Sequence, residues 1–169
     1  MAAIAGDDAA LDRGFVRLDA SMPLDVDPDR VADLLEADAS GWLPDAERLP
    51  DAGGLRRYAV DLRLRVGRED AAVTTFRKAA FLDLGPGRRE GARSGVEISW
   101  RAASAAPLFP VFAGRLTVEP GELRIEGLYA PPGGAAGRIA DRLLLHTDAN
   151  ATARWLLGAL AQAAHDESV

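Results

Sequence analysis

"LRRYAVDLRLRV", residues 55–66, decides the fold class. Tyr58, Val60, Leu62, Leu64 and Val66 alternate with Arg57, Ala59, Asp61, Arg63 and Arg65. A period of two is that of a strand with one buried and one wetted face. The turn "GRED", 67–70, leads from it to "TTFRKAAFLDL", 74–84, a second strand with two adjacent cations at its centre. Neighbouring side chains on a strand take opposite faces, so one of Arg77 and Lys78 falls on the inner one. The face holding Phe76, Ala80, Leu82 and Leu84 is the more apolar, which makes Lys78 the inward candidate.

The same alternation recurs downstream. Val96, Ile98 and Trp100 alternate with Glu97, Ser99 and Arg101; Phe112, Leu116 and Val118 with Arg115, Thr117 and Glu119; Leu123, Ile125 and Tyr129 with Glu122, Arg124 and Glu126. "EPGE", 119–122, joins the last two as a hairpin turn. Connections this short require antiparallel pairing, because parallel neighbours need crossovers of about a dozen residues or more.

Upstream, "GFVRLDASMPLD" reads as a first strand ending near Ser21. "DVDPDRVADLLEAD" reads as a short amphipathic helix with Asp27 as N-cap, Pro28 at the first helical position and Val31, Leu34 and Leu35 on one stripe. "SGWLPDAERLPDAGG", 40–54, is broken by glycine and proline and reads as a loop or one extra helical turn anchored by Trp42. From about Ala135 onward no proline interrupts the chain, so a long C-terminal helix is expected. The expected fold is α+β: a curved antiparallel sheet of about six strands wrapped around that helix, with one or two short helices between the first two strands. Residues 1–13 read as a flexible tail, 14–165 as a single domain and 166–169 as a flexible end.

Composition narrows the function. A chain of 169 residues with 48% hydrophobic and 27% charged residues is an ordinary globular one. The formal charge of -6 opposes general nucleic-acid binding. Arg57, Arg63 and Arg65 share a strand face with Asp61 among them, but no stacking aromatic interleaves these arginines, and they read as a solvated surface. Cysteine is absent, which removes disulfides and thiolate chemistry and agrees with a cytoplasmic location. No stretch approaches the roughly 18 apolar residues of a membrane span. Two histidines, His146 and His165, support no metal site, and the glycines near 134 and 85 fail the dinucleotide fingerprint, so neither metal nor cofactor is expected.

The order of elements, together with "LFPVFAGRL", 108–116, and "YAPPGGAAGRIADRLLLH", 129–146, continuing into "ANATARWLL", resembles the START-like helix-grip superfamily, also called SRPBCC. The similarity is to bacterial members and extends from Gly14 to about Ala164. It implies a cavity between sheet and final helix that holds a hydrophobic molecule, with catalysis in some members only. It carries over no catalytic residue.

Two features fit such a cavity. Lys78 is either turned out by a bulge, lies near the rim with its head in water, or meets the polar end of a ligand. His146, Asn150 and Arg154 recur every four residues and share a helix stripe bordered by Leu143 and Leu157. That stripe is either surface or pocket lining. Trp100 and Tyr129 are core residues or ligand contacts. The expected function is binding of a small hydrophobic or amphipathic molecule, an anionic one included. The alternatives are a cyclase or dehydratase-like enzyme that uses Lys78, His146 or Tyr129, and a protein-interaction module presenting "LGPGRREGARSG", 84–95.

Overall fold

Asp27 accepts a hydrogen bond from the Asp29 backbone N–H and starts helix α1, Pro28–Glu36, with Pro28 in its first turn. Val31, Leu34 and Leu35 are buried, as one stripe of a helix lying on a core should be. This computed structural model describes residues 15–66, 74–103, 111–130 and 134–166, with side chains described except at 63–66, 74–78 and 134–149. The tail 1–13 and residues 167–169 lie outside the described residues.

Among the described residues eight strands form one antiparallel sheet: β1 Val16–Pro23, β2 Glu47–Ala52, β3 Leu55–Val66, β4 Thr74–Leu84, β5 Arg88–Glu90, β6 Arg93–Ala102, β7 Val111–Glu119 and β8 Glu122–Ala130. Their order is β1-β8-β7-β6-β4-β3-β2, with β5 paired to β6. Helix α2, Gly134–Asp166, ends the described chain.

The expectation of about six strands is corrected. β2 forms where a loop or helical turn was expected, although it contains Pro50. It is an edge strand with a register shift between Leu49 and Ala52, the setting in which a strand tolerates proline. Gly53 and Gly54, both at positive φ, close the β2–β3 hairpin. β5 is a three-residue, fully exposed strand that no periodicity could reveal. The sheet is also not covered by the final helix alone. The described contacts join α2 to β3, β1 and β8, whereas α1 lies on β6 and β7. The expected six-strand helix-grip is thus replaced by a large eight-strand antiparallel sheet with two α-helices among the described residues, mostly sheet, with one helix at its C-terminal end.

The predicted inner faces form the core. Tyr58, Val60 and Leu62 on β3, Ala80, Leu82 and Leu84 on β4, and Val96, Ile98 and Trp100 on β6 are all buried. They pack against Ala153, Leu156, Leu157, Leu160 and Ala164 of α2. Between α1 and β2 a 3-10 turn, Ala39–Gly41, is capped by Asp38, which accepts from the Ser40 N–H at 2.9 Å and the Ser40 hydroxyl at 2.7 Å. These bonds hold the Asp38 carboxyl below its ordinary value of 3.8. A depressed pKa means that the cap stabilises fully above the unfolded-state value and loses that contribution as pH falls through the folded one. Removing the hydroxyl with Ser40→Ala should therefore raise the Asp38 pKa in a carboxyl-carbon NMR titration, and an unchanged midpoint would show that the hydroxyl is irrelevant.

Candidate functional site

One register row crosses the inner face. Tyr58 pairs with Leu82, Leu82 with Trp100, Trp100 with Phe112, Phe112 with Tyr129 and Tyr129 with Val16. From Tyr58 to Tyr129 every member is at most 1% exposed. Trp100 and Phe112 stack with centroids 3.9 Å apart and planes at 20°. The Phe112 ring lies over Gly114 and Gly127, where an added Cβ would stand 2.6 Å and 2.9 Å from its edge. Trp100 and Tyr129, candidate contacts from the sequence, are thus parts of a closed aromatic layer, and Phe112, which the sequence did not single out for a site, is its centre.

Beyond this row the side chains become small. Val60 pairs with Ala80 and Ala80 with Ala102; the next pair is Leu62 with Lys78. Lys78 therefore stands at a register position on the face where Leu62, Ala80 and Leu82 are buried; its side chain lies outside the described residues. The helix stripe divides. Arg154 is exposed, which removes it from any interior lining, while Asn150 is half-buried and has a partner. The buried stripe of α2 runs through Ala153, Leu157, Leu160 and Ala164 instead. His146 precedes Ala153 by seven residues and so falls in phase with that stripe; its side chain is outside the described residues. The structure thus places Trp100 and Tyr129 in the core and Arg154 in solvent, while the side chains of Lys78 and His146 lie outside the described residues.

The other end of β3 is occupied by structural bonds. The buried Tyr58 hydroxyl accepts from the Ala39 N–H at 3.1 Å and from Arg48 Nη1 at 2.7 Å, and Arg48 also pairs with Asp51. "LGPGRREGARSG" is tied down as well: Arg89 bonds Glu36 at 2.8 Å and Asp33 at 2.5 Å, and approaches Asp29 at 3.8 Å. These contacts fasten β5 to α1.

On the outer face the reading of an arginine surface without an aromatic is corrected. Pairing brings Phe81 of β4 beside Arg57 of β3 and Arg101 of β6, whose guanidinium carbons lie 5.6 Å and 5.0 Å from its ring centre. Arg57 also grips Asp83 through two bonds of 2.6 Å and 2.9 Å, which is why Asp83, on the water side by alternation, is only 7% exposed. The described grooves open on this outer face and beside residues 40–45. Among the described residues no cluster of His, Asp and Glu could hold a metal ion, and no helix is long and apolar enough to cross a membrane.

No family model matches this chain, and no curated protein matches it. A crystal structure of a hypothetical protein from Helicobacter pylori is similar at 13% identity and a TM-score of 0.45, covering 89% of this chain and 87% of that one.

Proposed function

We propose that the chain binds a small hydrophobic or amphipathic molecule between the inner face of the sheet and the first half of α2, with Lys78 meeting an anionic end. The observation that carries this reading is the register of Lys78 opposite the fully buried Leu62. An unpaired ammonium on a buried face is costly, and a ligand carboxylate would offset that cost. Three further features support it: Ala80 and Ala102 are small where the aromatic row ends, His146 is in phase with the buried helix stripe, and the sequence resembles START-like proteins. The second half of α2 is not part of the site, because Leu156, Leu157 and Leu160 are fully buried there in apolar packing.

Native mass spectrometry of freshly purified protein, followed by titration with fatty and aromatic acids, tests the proposal. One acid should bind, and Lys78→Gln should weaken it about tenfold, the value of one charge-assisted hydrogen bond, while a neutral analogue loses far less. No binder in the panel, or equal losses for acid and neutral analogue, would remove Lys78 from the role.

A further inference from the structure

β1 ends the sheet order, so among the described residues it has a strand neighbour, β8, on one side only. The two ends of the sheet differ. β2 carries Pro50 and a register shift, devices that stop an edge from accepting another strand. β1 keeps one register with β8 from Val16 to Pro23, and its one proline is the last residue. Leu24 continues that ladder by donating to the Gly121 carbonyl at 3.0 Å. Successive residues of a strand aim their backbone groups at opposite sides, so the even-numbered residues of β1 serve β8, while Arg17, Asp19 and Ser21 aim their N–H and C=O groups away from the sheet. Pro23, which has no N–H, falls in this second set.

An open ladder edge is a template for another strand. The side chains of β1 suit a second copy of the same strand. In an antiparallel pair related by a two-fold axis, the residue on the axis decides what meets what. An axis through Arg17 or Asp19 sets that residue against its own copy, like charge on like. An axis through Ala20 sets Arg17 against Pro23, which has no N–H to exchange. An axis through Leu18 sets Arg17 against Asp19 twice, with opposite charges facing, and sets Phe15 against Ser21 and Val16 against Ala20. Phe15, which is 38% exposed, then lies against the strand of the second copy. Asp19 also accepts from Arg124 at 2.9 Å, and Arg17 has a contact of its own. A carboxylate and a guanidinium each bond several partners, so the pairs across the axis add to these contacts.

We propose that β1 pairs antiparallel with β1 of a second copy about an axis through Leu18, continuing the sheet across a dimer. The proposal is independent of the inner-face ligand. Sedimentation velocity over a concentration series tests it. A short edge ladder is a small interface, so the parent should pass from one chain to two across the micromolar range. Arg17→Asp and Asp19→Arg should each weaken the dimer about tenfold, because each acts at two symmetry-related pairs, and the double variant, which exchanges the charges, should recover most of the loss. Ser21→Pro should abolish the dimer and leave the chain folded by circular dichroism, because the N–H it removes points away from β8. A parent that stays monomeric throughout the series, a double variant no better than the single ones, or a dimer that survives Ser21→Pro would overturn the assignment.

Discussion

Replacing Gly114 with alanine is expected to cost about 3 kcal/mol, at the upper end for overpacking a core. The new Cβ would stand 2.1 Å from the Glu126 carbonyl oxygen, 2.6 Å from the Phe112 ring and 2.8 Å from the Gly127 Cα. Two of these three obstacles are backbone, so no rotamer change relieves them, and β7 would have to move off β8 at the Gly114–Gly127 pair. The φ of Gly114 is not the cause, because Gly53, Gly54, Gly91 and Gly121 are the glycines at positive φ among the described residues. Gly158 is the internal contrast. It lies inside α2 with nothing within 4 Å of an added Cβ, so Gly158→Ala should stabilise by up to about 1 kcal/mol through helix propensity alone. Urea unfolding of the two variants should thus give shifts of opposite sign. A cost below about 1 kcal/mol for Gly114→Ala would mean that Phe112 does not rest on bare backbone.

The glycine pair also marks where sequence reasoning stopped. Alternation alone identified β3 and assigned Tyr58, Val60 and Leu62 inward, because a half-buried strand writes its two environments into every second residue. Helix α1 was equally legible from Asp27, Pro28 and one apolar stripe. β2 was not, since its residues are exposed or half-exposed and it is held by ladder bonds to β3 rather than by an apolar face. The orientation of α2 was ambiguous because leucines surround it at 143–145 and 156–157; packing selects Ala153, Leu157, Leu160 and Ala164, and this turns Arg154 outward. Features made by register were beyond reach altogether. The Arg57–Phe81–Arg101 stack and the aromatic row each join residues from different strands, and one sequence does not state which strand lies beside which.

Trp100→Ala should be the most damaging single truncation, at about 4 kcal/mol. Trp100 is 1% exposed, stacks on Phe112 and sits in register between Leu82 and Phe112, so its removal opens a void that two well-paired strands cannot close. In a chain of this size that loss corresponds to a fall in Tm of roughly 10 °C. Trp100→Phe should recover much of it, because a smaller ring can still stack on Phe112. The same variants separate core from pocket. If Trp100 were a ligand wall, truncation would cost little stability in ligand-free protein and would chiefly abolish ligand binding. The full burial of its neighbours Leu82 and Phe112 argues for the first outcome, and the proposed ligand would then be confined to the side of the row where Ala80 and Ala102 replace bulky residues. Thermal unfolding of ligand-free Trp100→Ala decides between them: a Tm within about 3 °C of the parent would move the aromatic row from the core into the binding site.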